Sequence, residues 1–402
     1  MYLALVLIGW LNIYAAVFNE EHQNILDVSQ KYGKQLIWIS SGFFIAMIIL
    51  IIDAEFYAAF AFPIYILSII VLILVLFFGT TIAGSKSWFR VGELGIQPAE
   101  FTKFAVNLAL AKYLSKMDIK MTNLSTKIYS SLIIILPILL ILLENETGCA
   151  LVFVVFIFVL YREGLSGNFL LLGFMMALLF ILALLIDKVF LIITLASIAF
   201  LLILLVKKSL RNILMISGVL IFASFTIYGT DYAFGHLEAH QKKRINVFLG
   251  KEVDKNKAGY NVNQAKIAIG SGGFMGKGYL KGTQTKYDFV PEQDTDFIFC
   301  TVGEEWGFVG SSVLISIFIA LIIRLVFLAE RQRSLFSRIY GYGVASIIFF
   351  HVTVNVGMTI GLAPVIGIPL PLISYGGSSL WAFTILLFIF LKLDSHRLQI
   401  LR

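Results

Sequence analysis

The run "IYILSIIVLILVLFF", Ile64 to Phe78, carries no charge and no alternation of polar with apolar residues. A hydrocarbon core of about 30 Å offers backbone amides no partners, so such a segment crosses it as a helix; a barrel strand would show a period of two. Comparable runs recur on both sides, from the first residues to the last. Composition agrees: the 402 residues are 59% hydrophobic and 14% charged, against about 45–50% and about 25% in soluble domains. No sizeable soluble domain fits between the runs, and the chain reads as an all-α polytopic membrane protein.

Apolar windows place candidate spans at Tyr2 to Phe18, Leu36 to Ile52, Tyr57 to Phe78, Ile96 to Leu114, Ile128 to Leu143 and Thr147 to Tyr161. They continue at Phe169 to Ile186, Val189 to Val206, Ile213 to Tyr228, between Phe297 and Phe327, at Ile339 to Leu362 and at Leu380 to Leu391. The expected fold is a single integral membrane domain, 1–402, with about 10–12 transmembrane helices and one large extracytoplasmic loop, 229–296. The apolar segment after Met1 has no basic region before it and no small-residue cleavage site, so it reads as a retained first span.

Lys and Arg in short loops set the orientation. Alternate loops hold Lys116, Lys120, Lys127, Arg162, Lys207, Lys208, Arg211, Arg331, Arg333 and Arg338, and the tail adds Lys392, Arg397 and Arg402. The opposite short loops hold Lys31, Lys34, Lys86, Arg90 and Lys188. Both termini are therefore expected in the cytoplasm and the 229–296 loop outside. The net charge of +7, with many basic residues in that loop, suits anionic headgroups or a bound anion. No nucleic-acid partner is expected.

Several polar motifs interrupt the apolar pattern. In "GSKSWFRVGELGIQPAEFTKF", Pro98 suits a first helical turn, Glu100 complements its positive end, and Lys103 follows one turn later on the same face. This pair reads either as a helix-start salt bridge or as part of a polar cavity. "IAIGSGGFMGKGYLKG" fails the Walker A pattern, which needs Gly where Ser271 stands, and the dinucleotide pattern, which needs Gly at Met275. Its glycines could still let backbone N–H groups approach a phosphate or sugar, with Lys266, Lys277 and Lys281 nearby.

Three prolines and a double glycine break "GLAPVIGIPLPLISYGGSS", Gly361 to Ser379, which includes Ser374. Broken backbone at membrane depth needs a cover of protein or a cavity, so this stretch reads as a pocket lining or a structural kink. Glu292, Asp294 and Asp296 stand just before the apolar "FIF". They read as helix caps or as a site where Asp296, at the water–lipid boundary, acts as a base. Cys149 and Cys300 lie outside any CxxC pair and read as small buried hydrophobes. "HLEAH", His236 to His240, lacks the HExxH order of a zinc site.

Together "QPAEFTK", "ENETG", "AGYNVNQAKIAIGSGGFMGKGYLKGTQ", "VPEQDTDFIFCTVGEEWGFVG" and "PVIGIPLPLISYGGSS" resemble the SEDS family, the shape, elongation, division and sporulation proteins. The match spans most of the chain, and "GIPLPLISYGGSS" is closer to the elongation branch than to the division branch. The resemblance implies a peptidoglycan glycosyltransferase of the bacterial inner membrane that polymerises lipid II beside a class B penicillin-binding protein. The donor would be an undecaprenyl-diphosphate-linked glycan and the acceptor a GlcNAc 4-hydroxyl.

The resemblance also places the family's essential aspartate on Asp296, its polar pair on Glu100 and Lys103, its loop arginine on Arg244 and a conserved segment on Gln264 to Gly273. With Lys266, Lys277, Glu292 and Ser374 these are the candidates for substrate binding, and a divalent cation, Mg or Mn, could assist. Ser87 stands where the family often has Arg, which would move a basic role to Lys86 or Arg90. The family's usual ten spans are two fewer than the windows counted here. A lipid II flippase or a division-type member of the family would share many of these features.

Overall fold

The computed structural model describes residues 1–18, 24–82, 84–92, 94–117, 119–206, 209–237, 239–251, 258–287 and 289–398. Lys207, Lys208 and Arg402, counted above for orientation, lie outside them. The chain divides into two compact units, 1–164 with 260–402, and 165–259.

In the first unit, α1 (Tyr2–Val17) and α2 (Lys31–Ile51) precede a short α3 (Ala54–Ala59) and α4 (Ala61–Phe78). A small antiparallel meander follows, made of β1 (Thr80–Ile82), β2 (Ser85–Val91) and β3 (Leu94–Ile96). Its turns are two residues long, and Gly84 and Gly92 supply the positive φ that such hairpins need. α5 (Pro98–Leu114) starts on its proline and runs to α6 (Leu124–Leu143). α7 (Thr147–Val152) and α8 (Phe156–Arg162), joined by a 3-10 turn, complete the first half.

The second unit contains α9 (Gly167–Leu185), α10 (Lys188–Leu205), α11 (Leu210–His236) and α12 (Ala239–Phe248). Ser166 caps α9 and Asp187 caps α10 through side-chain oxygens. Leu179, Ala183, Leu191, Ala223 and Ile227 form its core. Large apolar residues such as Phe174, Phe190, Phe200 and Phe225 point outward, as a hydrocarbon surround permits.

The first unit resumes with α13 (Ala258–Gly272), whose first two residues fall before the division, then α14 (Ile298–Glu330), α15 (Leu335–Thr359) and α16 (Gly377–Ser395). α14 packs on α15, α16 on α2, and α15 on α5. Among the described residues nine helices have the length and composition to cross a membrane, and the segments Tyr2–Val17 and Thr147–Arg162 are shorter apolar helices. Each of the twelve sequence windows coincides with helix: α3 with α4 fill the third, α5 the fourth, and α7 with α8 the sixth. The fold is that of an all-α polytopic membrane protein. The long loop is itself partly helical, since α11 runs on to His236 and α12 and α13 lie within it.

The two ends of the first unit differ. At one end Arg162 pairs with Glu330 at 3.0 Å, Arg338 with Glu163 at 3.0 Å, and Arg331 with Asp394. These residues close α8, α14 and α16 and open α15. Residues 294–298, 359–377 and 97–100 lie at the other ends of α14, α15, α16 and α5.

Candidate functional site

α14 begins at Ile298 with Phe297 in the cap position, so Asp296 lies one residue before the cap. Its side chain is half-buried. The backbone behind it is held at three successive carbonyls. Asp294 O accepts from Tyr375 N at 2.8 Å, Thr295 O from Ser374 Oγ at 2.6 Å, and Asp296 O from Asn355 Nδ2 at 2.8 Å. The donors come from the Pro- and Gly-broken segment between α15 and α16 and from α15 itself. Gly367 in that segment has φ +78, and a Cβ there would stand 3.3 Å from Asp296 Oδ2. The kinked backbone thus lines the acid, which accounts for the break at membrane depth.

The other carboxylates of the cluster shape the approach. Glu292 has φ 58, is exposed, and takes the Thr295 hydroxyl at 2.9 Å while its carbonyl accepts from Phe297 N at 3.0 Å. Asp294, 4% exposed, pairs with Lys31 Nζ at 2.8 Å at the start of α2. Ser374, besides its bond to Thr295, accepts from Leu370 N at 2.8 Å.

Glu100 and Lys103 are both buried and joined at 2.7 Å. Lys103 Nζ also lies 3.1 Å from His351 Nε2, and His351 Nδ1 lies 3.1 Å from Pro369 O. An ammonium and a carbonyl leave one assignment: Nδ1–H donates to Pro369, and Nε2 accepts from Lys103. The pair is therefore more than a helix-start bridge, because it is connected through His351 to the broken segment that lines Asp296. Cys149 Sγ points at Glu100 Oε1 at 3.8 Å, and both cysteines are free and buried.

The "ENETG" turn between α6 and α7 supports the same region. Gly148 lies so close to Ile366 O that a Cβ would stand 2.6 Å from it. Ser87 Oγ donates to Glu146 Oε1 at 3.0 Å, and Ser85 Oγ to Glu144 O at 2.7 Å, which docks the β-meander on this turn. The serine at the position where the family often has Arg is thus engaged by a carboxylate, while Lys86 Nζ donates to Phe77 O at 2.9 Å. Glu144 is wholly buried and neither carboxyl oxygen has a partner. Burial first, then the Glu146 charge, push its carboxyl up to about 8.

The glycine-rich stretch after α13 is filled by protein. A Cβ at Gly276 would collide with the Glu305 carbonyl, and α14 is broken at Gly307, where φ is 63. Lys277 binds the buried Glu304 at 2.6 Å, and that carboxylate also accepts from the backbone N–H groups of Thr283, Gln284 and Thr285. Lys277 is therefore engaged in fastening the 276–285 loop to α14. On α13, Gln264 is half-buried and Lys266 is exposed, its ammonium end lying against Gly361 at the entry to the broken segment. Arg244 lies on α12 in the second unit.

Among the described residues no group of three or more His, Cys, Asp or Glu could hold a metal ion. Glu238 and the side chain of His240 lie outside the described residues.

His351 and Asn355 escaped the sequence reading. They stand four residues apart in the otherwise apolar "IIFFHVTVNVG", and polar residues at helical spacing inside a span are the signal that marks them.

The profile of the family of cell cycle proteins FtsW, RodA and SpoVE matches residues 1–192 and 161–399. The chain belongs to this family. Among its relatives, the peptidoglycan glycosyltransferase RodA of Treponema pallidum is 34% identical, covering 98% of this chain and 96% of that protein. The peptidoglycan glycosyltransferase MrdB of Escherichia coli K12 is 32% identical, covering 98% and 92%. A solved chain from work on the structural coordination of polymerization and crosslinking by a peptidoglycan synthase complex superposes with a TM-score of 0.72. It is 27% identical, with 99% of this chain and 96% of that chain covered.

Proposed function

We infer that this FtsW/RodA/SpoVE-family chain is a peptidoglycan glycosyltransferase of the elongation type, acting in cell wall synthesis and cell shape, with lipid II as its substrate. The observation that carries the chemistry is the half-buried Asp296 carboxylate, held through three backbone carbonyls against Gly367. The family match and its glycosyltransferase relatives carry the activity.

Transfer from an α-linked diphosphate to a β-1,4 bond inverts the anomeric centre, which one in-line displacement achieves without a covalent intermediate. Asp296 takes the proton of the acceptor 4-hydroxyl as that oxygen attacks, in the manner of the base in inverting glycosidases. Diphosphate departs without a protein acid, and its charge falls to Lys266, whose ammonium end lies at the entry to the broken segment. Lys103 and Glu100 act through His351 and Pro369 as support for the wall behind the base.

Two features support a lipid-borne substrate reaching the site from outside. An apolar cavity of about 440 Å³, lined by residues including Ile64, Leu67, Val71, Phe101 and Trp381, adjoins Pro98 at the start of α5. It suits a polyprenyl chain. The arginine-rich ends of α8, α14 and α16 lie opposite the Asp296 end, which under the positive-inside rule supports a site outside and both termini in the cytoplasm. A class B penicillin-binding protein is the proposed crosslinking partner.

The test is reconstitution of the purified chain with labelled lipid II and gel analysis of the glycan formed. Asp296→Ala lowers polymerisation by about 10² to 10⁴-fold, the usual worth of a general base, with membrane insertion unchanged. A variant that polymerises at the wild-type rate removes Asp296 from the mechanism, and lipid movement without any polymer identifies a flippase instead.

A further inference from the structure

α15 presents two buried polar side chains one turn apart to the broken segment. His351 holds the carbonyl of Pro369, and Asn355 holds the carbonyl before it, Ile368, at 2.7 Å. The second hydrogen of the same Asn355 amide goes to Asp296 O at 2.8 Å. Two carbonyl acceptors fix which end of the amide is NH₂. Gly367, whose missing Cβ makes room for Asp296 Oδ2, is the residue next to Ile368. One planar group thus joins the main chain that carries the acid to the main chain against which the acid rests.

We infer that Asn355 is a positioning residue for Asp296, setting the height of the catalytic carboxylate over the Gly367 wall. This rests on the reading of Asp296 as the base. Asn355 Oδ1 is buried and has no hydrogen-bond partner, so the amide occupies this apolar helix at a cost in stability, and its two donated bonds are the return. The neighbouring carbonyls of Asp294 and Thr295 are held independently, by Tyr375 and Ser374. Removing the Asn355 donors therefore takes away the bond at Asp296 O while the two neighbouring carbonyls of the turn stay docked. A shift of about 1 Å at a reacting group can cost about 10²-fold in rate without loss of binding.

The experiment is a double-mutant cycle on the full chain, reconstituted with labelled lipid II. Asn355→Asp keeps the size of the side chain and replaces its two donors by a carboxyl; Asn355→Ala removes the group altogether. Both lower kcat about 10 to 100-fold with KM for lipid II within about threefold of wild type. Asn355→Ala combined with Asp296→Ala is no slower than Asp296→Ala alone, since Asn355 acts only through that carboxylate. Wild-type kcat in Asn355→Asp, a loss confined to KM, or additive losses with an inactive Asp296→Ala would overturn this inference alone. Full activity in Asp296→Ala would overturn it together with the reading of the base.

Discussion

Two carboxylates of this chain occupy contrasting positions. Asp296 is half-buried at a held turn, whereas Glu144 is sealed between α6 and α7 with no donor for either oxygen. Its carboxyl is raised from 4.5 to about 8, by burial and then by Glu146. The folded chain thus keeps a proton that the unfolded chain gives up above 4.5, so this contribution is fully present below 4.5 and is lost as pH rises to about 8. The loss is on the order of 5 kcal/mol. Thermal unfolding in detergent from pH 5 to 9 should show the midpoint falling with pH, and Glu144→Gln should flatten that slope; an equal slope in both proteins contradicts the assignment. Asp296, Glu292 and Ser374 could be read from the sequence because each stands where an apolar run meets a break. The pairing of Lys277 with Glu304 could not, because it depends on a loop folding back over 27 residues onto a helix.

Among the elements, α15 does most to assemble the site, yet its sequence announces a plain span. The hydrophobic pattern gave its existence but set its window, Ile339 to Leu362, four residues late at the start and three at the end of Leu335–Thr359, while His351 and Asn355 gain meaning only when the broken segment lies alongside. The β-meander also went unread. Its strands of three to seven residues are too short for a periodic signal, and only the glycines at the two turns mark it. α5 carries a sharper consequence. Removing one partner of a buried ion pair strands the other charge and costs about 3–5 kcal/mol, while replacing both can be nearly neutral. Lys103→Met should therefore lower the unfolding midpoint far more than Lys103→Met combined with Glu100→Gln, as scanning fluorimetry can measure. If the double variant is as unstable as the single one, the pair is held by something other than mutual charge.

At the scale of the whole molecule, hydropathy gave the membrane class and the twelve helical windows. The motifs gave the family, and the division into two compact units came from the fold. The helices α9 to α12 of the 165–259 unit fall outside every motif quoted for the family. The apolar cavity beside α5 yields a substrate-length prediction. Val71→Trp, which fills part of it, should raise KM for full-length lipid II about tenfold, a change of about 1.4 kcal/mol, and leave a short-chain analogue almost unaffected. Equal effects on both lipids would place the tail elsewhere.

The three carbonyls at residues 294–296 are fastened by residues 355–375, which the ribosome makes last among the parts of the site. A chain ending before that stretch would carry the acidic turn, with Lys31 on Asp294 and its bonds to Glu292, but without any of the three donors that fasten its carbonyls. Assembly of this turn is thus completed from the C-terminal side, by donors on α15 and on the segment that joins it to the last helix.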